Sequence, residues 1–267
     1  SMATLSRVST NIASGILHTM KEYNVGEVVL GMHLVPTALE RQALPKEDRQ
    51  TLSDEESHAA EQAQYTPGMS LGNVVEGVIA GSHREVMVVH LTVPPGTLRH
   101  IMVLIPEKAE YEVGFYKWLE HICRLGEQLD CHLCFYAFAG TLKYVEDYMR
   151  EKHNHVRSEF TIMTVWQEQL AQLSQQLNRN DMLIAITSRP GFISYKPEQS
   201  LLPQVLSSDF QRSSKMLLYP DQWGEPSETL SVFSPNGMAV TRSMSPLDQL
   251  ITRRPTKQNQ KKRRKKT

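Results

Sequence analysis

The stretch Asp181-Met-Leu-Ile-Ala-Ile-Thr187, followed by a loop, a short helix and the apolar run Lys215-Met-Leu-Leu-Tyr219, decides the fold of this chain. Short apolar runs joined by a helix are typical of parallel strands that are buried on both faces. A similar unit runs from Glu27-Val-Val-Leu-Gly-Met-His33 through Ser70-Leu71 to Glu85-Val-Met-Val-Val-His90. In such a sheet, ligands bind at the loops that follow the strands. The repeat therefore predicts two α/β units, each with one candidate ligand loop.

The second unit has a complete pattern after the linker Pro94-Pro-Gly96. Strands are expected at 101–105, 131–138, 158–165, 181–187 and 215–219, and helices at 111–128, 141–153, 166–177 and from 199 onward. Strands that alternate with helices are typical of a parallel sheet covered on both faces. We therefore expect a complete α/β domain over residues 99–222.

The first unit shows only the last helix–strand–helix–strand of the same series, so we interpret residues 1–93 as the C-terminal half of a similar domain. A polar, acidic insertion over 36–68 is expected to be mobile. A half-sheet leaves an apolar edge unpaired. Either the missing strands precede residue 1 in a parent protein, or the half packs against the second domain. Residues 223–267 are expected to form a disordered basic tail.

Charge is distributed unevenly although the formal net charge is zero, with 29 basic and 29 acidic residues. The last 17 residues, from Ile251, contain nine Lys/Arg and no Asp/Glu, so the rest of the chain is acidic. An acidic body repels nucleic acid, so no nucleic-acid partner is expected for it. The run Lys261-Lys-Arg-Arg-Lys-Lys266 could lie on an anionic membrane surface, contact RNA, act as a nuclear address or stay solvated.

Residues that could support catalysis or metal binding are sparse. Cys131-His-Leu-Cys134 has the C-x-x-C spacing, but positions three apart on a strand point to opposite faces, so structural thiols are predicted. His153 and His155 flank Asn154 in a polar loop, yet no histidine has an H-E-x-x-H motif or a carboxylate at useful sequence spacing. No G-x-S-x-G elbow is present. We therefore predict no catalytic residue, no metal and no cofactor.

The loop Ser188-Arg-Pro-Gly-Phe-Ile-Ser-Tyr195 is the candidate binding site, because it follows a strand and precedes a helix. Ser188 and Arg189 could bind an anion, and Gly191 could let the backbone approach it closely. The loop lacks the Gly-Lys-Ser/Thr ending of a P-loop. A tight turn in which Arg189 bonds locally is the favoured alternative.

Several stretches, in this order, resemble known families. The order of elements, with Asn11–Leu17 and Ser82–Val88, resembles universal stress protein (adenine nucleotide alpha hydrolase-like) domains. Val103-Leu-Ile-Pro-Glu-Lys-Ala-Glu-Tyr-Glu112, Ser188–Tyr195 and Leu218-Tyr-Pro-Asp-Gln222 resemble the cytosolic C-terminal region of bacterial cation:proton antiporters, notably of the Bacteroides group.

This resemblance implies a non-catalytic regulatory module on the cytoplasmic face of the inner membrane. Its partner would be the transmembrane antiporter domain of the same polypeptide, which carries out the transport. Stress-family domains often pair through their last strand, so a homodimer through Val86–Leu91 or Lys215–Tyr219 is expected. The basic tail would lie near the anionic inner leaflet.

Nucleotide-binding members of the stress family have glycine-rich phosphate loops and an acidic residue after the first strand. Here Leu34 stands where the second glycine belongs, the second loop begins Thr187-Ser-Arg-Pro190 without glycine, and only Glu107 is a shifted match to the acidic residue. The departures argue against ATP binding in both units. The alternative function is a soluble tandem stress protein that binds a nucleotide through Ser188–Tyr195.

Overall fold

The computed structural model describes residues 5–6, 8–36 and 68–222. Apart from its end residues, the predicted insertion at 36–68 lies outside the described residues, and the whole basic tail at 223–267 does so as well. Within the described ranges, no helix is long and apolar enough to cross a membrane.

The secondary structure follows the predicted order of helices and strands. The helices are α1 Ile12–Glu22, α2 Asn73–Gly81, α3 Phe115–Leu129, α4 Ala139–Lys152, α5 Trp166–Gln176 and α6 Leu202–Ser208. The strands are β1 Glu27–Gly31, β2 Val35–Pro36, β3 Met69–Ser70, β4 Glu85–His90, β5 His100–Leu104, β6 His132–Ala137, β7 Ser158–Ile162, β8 Asp181–Ile186 and β9 Ser214–Tyr219.

Two predicted helix starts were wrong, and short 3₁₀ turns are the reason. The turn Ala109–Tyr111 ends at the first residue predicted to be helical, and α3 begins only at Phe115. Likewise, the turn Pro197–Leu201 precedes α6. Hydrophobic spacing does not distinguish these turns from the first turn of an α-helix.

One seven-stranded sheet contains strands of both units, in the order β1-β4-β9-β8-β5-β6-β7. Every neighbouring pair is parallel except β4 and β9, which are antiparallel with Val88 opposite Leu217. The predicted α/β fold with a mainly parallel sheet is confirmed. Strands β2 and β3 form a separate antiparallel pair.

One edge of the first unit is covered from within the chain, because β4 pairs with β9, whereas β1 remains at the edge of the described sheet. Packing of the half-unit against the second unit is therefore observed, and the alternative of missing strands before residue 1 stays a prediction. The two strands that we expected to offer edges to a second copy are bonded to each other. A homodimer stays a prediction, but it cannot use these two edges as they stand.

Two apolar cores lie on opposite faces of the sheet. On one face, α1, α2, α5 and α6 supply buried side chains such as Met20, Val78 and Leu206. On the other face, α3 and α4 supply Trp118 and Val145. The parallel strands β5, β6 and β8 have their carboxyl ends at the same end of the sheet. The candidate loop begins there.

The two cysteines of the C-x-x-C stretch lie in different cores, Cys134 on one face and Cys131 on the other. The prediction that their thiols do not converge is confirmed. Burial raises the pKa of the Cys134 thiol to about 11, so at neutral pH it is protonated. These residues act as small apolar side chains of the core.

Candidate functional site

The candidate loop leaves β8 after Ile186 and returns to the sheet surface at the turn Pro197–Leu201. Gly191 has φ of +93°, a backbone conformation that favours glycine. It lies on the exposed outer part of the loop, whereas Ser188 and Ser194 are buried beneath it. The chain can make this tight excursion because glycine stands at the position with positive φ.

Two backbone donors of the loop, those of Ser188 and Ser194, have side-chain acceptors from the protein itself. The Ser188 N–H donates to Oε1 of Gln199 at 2.9 Å. The Ser194 N–H and hydroxyl donate to Oε1 of Glu112 at 3.1 and 2.8 Å. Since an external anion would need such donors, the carboxylate of Glu112 occupies the anion position of this loop.

The side chain of Arg189 points away from the loop and into the junction of the two units, where the residue is only 5% exposed. Its Nε donates to the carbonyl of Ile79 at 2.8 Å, and Nη2 donates to the carbonyl of Arg84 at 3.0 Å. Its Nη1 donates to the carbonyl of Pro220 and to Oε1 of Gln222, both at 2.8 Å. We call Arg189 and these four acceptor residues the Arg189 cluster.

Because the Arg189 cluster takes acceptors from both units, it fastens α2 and the start of β4 to the end of the second unit. The guanidinium also lies 5.7 Å from the centre of the Tyr219 ring, within cation–π range. Burial lowers the pKa of Arg189 to about 10, which still leaves it charged at neutral pH. Burial also raises the pKa of Tyr219 to about 12, so the phenol stays neutral.

The three predicted site residues therefore do not present a common set of free donors. Ser188 bonds within the loop, Arg189 bonds across the unit junction, and Gly191 is exposed. Anion binding by these residues stays a prediction. The alternative was a tight turn in which Arg189 bonds locally, and Arg189 does bond within the protein, but to partners that are distant in sequence.

Three stretches quoted for the antiporter resemblance meet at this place. Glu112 ends the first and contacts Ser194 in the second. Arg189, also in the second, contacts Pro220 and Gln222 in the third. Sequence reasoning missed Glu112 and Gln222, because their partners lie far away along the chain and no local motif marks them.

A cavity of about 230 Å³ lies at the carboxyl ends of β5 and β6, next to the candidate loop. It is lined by Pro106, Glu107, Phe138, Thr164, Val165, Trp166, Gln167, Lys196, Glu198 and Gln199. Glu107 and Lys196 form an ion pair of 3.2 Å at its wall. Ligand pockets usually occupy about 300–1,000 Å³, so this cavity is small for a nucleotide.

Further polar contacts join the units beside the Arg189 cluster, since Glu85 follows Arg84 and Asp221 lies between Pro220 and Gln222. His121 on α3 places Nδ1 2.7 Å from Oε1 of the fully buried Glu85 on β4. Burial raises the pKa of Glu85, although the hydrogen bond and charge of His121 oppose that rise. Lys117 donates to the carbonyl of Gly26 at 2.8 Å and to Oδ2 of Asp221 at 3.0 Å.

Several histidines for which sequence spacing offers no carboxylate have carboxylate partners in the fold. Besides His121 with Glu85, Nδ1 of His100 lies 2.8 Å from Oδ1 of Asp181, and His153 lies between two glutamates. These partners come from other strands and helices. Sequence spacing cannot reveal them because it reports only local neighbours.

Some solved structures align with most of the length of this chain. No protein-family model matches this chain. No curated protein matches it. A universal stress protein from Archaeoglobus fulgidus DSM 4304 aligns with a TM-score of 0.45 at 13% identity, covering 79% of this chain. A protein of unknown function from Pseudomonas aeruginosa PAO1 aligns with a TM-score of 0.37 at 11% identity, covering 80% of this chain and 69% of its own.

The match spans 65% of the length of the Archaeoglobus protein, so about a third of that protein has no counterpart in the aligned region. At 13% and 11% identity, these similarities concern the fold alone.

Proposed function

We propose that this chain is a non-catalytic regulatory or interaction module. The observation that carries the proposal is the use made of the loop after β8. Its backbone donors bind Gln199 and Glu112 of the same chain, and Arg189 holds the two units together. A position where α/β sheets commonly bind ligands is therefore occupied by contacts that hold the protein together.

We further propose that the module belongs to a membrane monovalent cation:proton antiporter and lies on the cytoplasmic face of the inner membrane. The support is the sequence resemblance of three stretches, together with their contacts through Glu112, Arg189 and Gln222. Because residues in one hydrogen-bonded cluster depend on one another, replacing one of them would disturb its partners. The three stretches are therefore expected to occur together. Transport itself would be carried out by transmembrane helices of the same polypeptide.

The gene that encodes the parent polypeptide provides a first test. The proposal expects the codons before residue 1 to encode a series of apolar helices of about 20 residues each. A reading frame that starts at residue 1, or that is preceded only by polar sequence, would overturn the antiporter assignment. The chain would then still be proposed as a regulatory module, but of a partner other than an antiporter.

Cation:proton exchange by the complete parent protein in membrane vesicles provides a second test. Replacing Arg189 by Ala should alter the dependence of exchange on pH or cation concentration, because the junction of the two units is loosened. Arg179→Ala is the matched control, since Arg179 is exposed on the surface. Identical exchange profiles for both variants would argue against a regulatory role of the module.

A nucleotide-binding function is the second candidate, and the position of the cavity beside Glu107, although not its volume, favours it. Its walls come from the carboxyl ends of the strands, where α/β sheets bind ligands. Calorimetry with ATP, AMP and cyclic dinucleotides would decide between the two functions. Saturable heat that disappears in Glu107→Gln would support the nucleotide, and absence of heat at millimolar ligand would reject it.

A further inference from the structure

The loop after α4 brings two histidines and a glutamate together, far from the Arg189 cluster. Nδ1 of His153 lies 2.7 Å from Oε1 of Glu127, and Nε2 of His155 lies 3.0 Å from the same oxygen. One potential ligand atom from each of these residues lies within 4.8 Å of the other two. Glu127 belongs to α3, so the group is formed by two separate elements of the fold.

The local backbone holds the two histidines in a fixed relation. The His153 N–H donates to the carbonyl of Met149 at 2.9 Å, and the Val156 N–H donates to the carbonyl of His153 at 3.0 Å. The imidazole rings of His153 and His155 are 6.1 Å apart, centre to centre. The short excursion between α4 and β7 thus directs both rings toward Glu127.

A further carboxylate orients the ring of His153. Its Nε2 lies 2.7 Å from Oε2 of Glu120, and the same oxygen accepts a hydrogen bond of 2.6 Å from the Tyr148 hydroxyl. Both ring nitrogens of His153 face carboxylate oxygens and donate to them, so a metal ion at Nδ1 would replace the proton donated to Glu127 while Nε2 keeps its bond to Glu120. A carboxylate that fixes the far nitrogen in this way is a regular companion of metal-binding histidines.

We propose that Glu127, His153 and His155 bind a divalent zinc-like metal ion, with a fourth position open to water. Two imidazoles and one carboxylate are a donor set that Zn²⁺ takes in open, four-coordinate sites. Bonds of about 2.0–2.2 Å place neighbouring ligand atoms of a tetrahedral site roughly 3.3 Å apart. The two nitrogen–oxygen distances of 2.7 and 3.0 Å are slightly shorter, and exposed His155 and one-third exposed Glu127 can move outward to admit the ion.

Two other groups in the described residues have a similar mixture of side chains but fit a metal less well. His132, Cys134 and Glu159 form one of them, and its thiol is almost buried in the core. The second group is Glu27, Glu85 and His121, which contains a single imidazole at the junction of the units. The group around His153 alone offers two imidazoles together with a carboxylate behind one of them.

The test uses the full chain and Zn²⁺ alone, in competition with a chromophoric zinc indicator. One equivalent should bind saturably, and His155→Ala and Glu127→Gln should each weaken binding by more than about 100-fold. Both side chains are at least one-third exposed, so these variants should keep the fold, as circular dichroism would check. His132→Ala is the matched control and should bind as the unchanged protein does.

Glu120→Gln tests the positioning role of Glu120 and should weaken binding by about 10–100-fold. Its Co²⁺ complex should also show a changed absorption spectrum, which reports ligand geometry directly. Absence of saturable Zn²⁺ binding would overturn the proposal. The same holds if His155→Ala binds normally, or if His132→Ala abolishes binding instead.

Discussion

Strand β8 of the second unit is buried along its whole length, whereas β1 of the first unit alternates between exposed and half-buried residues. Val29 on β1 is 64% exposed, while Ile184 on β8 is completely buried. The second unit has helices on both faces of its strands, and the first has α1 and α2 on one face only. The first unit is therefore buried partly by β9 and Arg189 of the second unit. The strands of the second unit are buried by helices of that same unit.

This difference predicts an unequal dependence between the units. A substitution that destabilises the second unit should also destabilise the first, because β9 and Arg189 both belong to the second unit. Damage confined to the junction should loosen the first unit and leave the second folded. Hydrogen exchange can follow the two units separately, because local openings differ in free energy across a structure.

The largest effect is expected from Trp118→Ala in the core beneath α3. Trp118 is completely buried and packs edge-on against Phe115 at 5.2 Å between ring centres. Truncation should lower the free energy of unfolding by about 3–5 kcal/mol, and exchange should rise in both β1 and β8. Urea unfolding measures the loss. Tyr111→Ala, at an exposed position, should change stability by less than about 0.5 kcal/mol.

Arg189→Ala should act next most strongly and should separate the two units. The buried carbonyls of Ile79, Arg84 and Pro220 lose their donor, which should cost about 2–3 kcal/mol. Exchange should rise in β1 and β4 and stay unchanged in β5 and β8. Arg189→Lys should recover little, because an ammonium cannot reproduce the planar donor set. Equal loosening of β8 would contradict the dependence described above.

Gly114→Ala should have a smaller effect on the same junction. A Cβ there would stand 2.6 Å from the backbone N and O of Asp221, next to Gln222 of the Arg189 cluster. Relieving this clash should cost about 1–3 kcal/mol, measured by thermal unfolding. Gly140→Ala is the control, because its Cβ would meet nothing within 4 Å and should be neutral or slightly stabilising. A neutral Gly114→Ala would show that residues 220–222 can shift freely.

The smallest effect is expected from Glu85→Gln and should appear as a change in pH dependence. Because burial raises the pKa of Glu85 in the folded protein, the folded state binds more protons than the unfolded state above pH 4.5. Stability should therefore fall as pH rises from 4.5 through that raised pKa. The Gln variant should lose this part of the slope. His121, Lys117 and Glu27 face the same carboxyl and also influence its pKa.

Unfolding measured across pH checks this, with Glu146→Gln as the control at an exposed position. The control should keep the slope of the unchanged protein. An unchanged slope in Glu85→Gln would mean that the buried carboxyl does not distinguish the folded from the unfolded state.

The sequence predicted the strands of the second unit well, because continuous apolar runs such as Asp181–Ile186 are a local signal of burial on both faces. It also located the loop after β8. It could not predict that Glu112 and Gln199 take the backbone donors of that loop, since such contacts depend on which distant elements meet. For the same reason, the carboxylates around His153 were missed, although the His-x-His spacing was visible.

The pairing of β4 with β9 has a consequence for how this protein is made. Val88 and Leu217 are partners in the sheet, yet the whole second unit is synthesised between them. At a synthesis rate of about 5–20 residues per second, the last strand emerges from the ribosome roughly ten seconds after β4. During that time the apolar edge of β4 is open to other nascent chains. Closing such a long loop also slows folding. The first unit is thus synthesised before the second but completed after it, and we expect it to be the segment that chaperones protect.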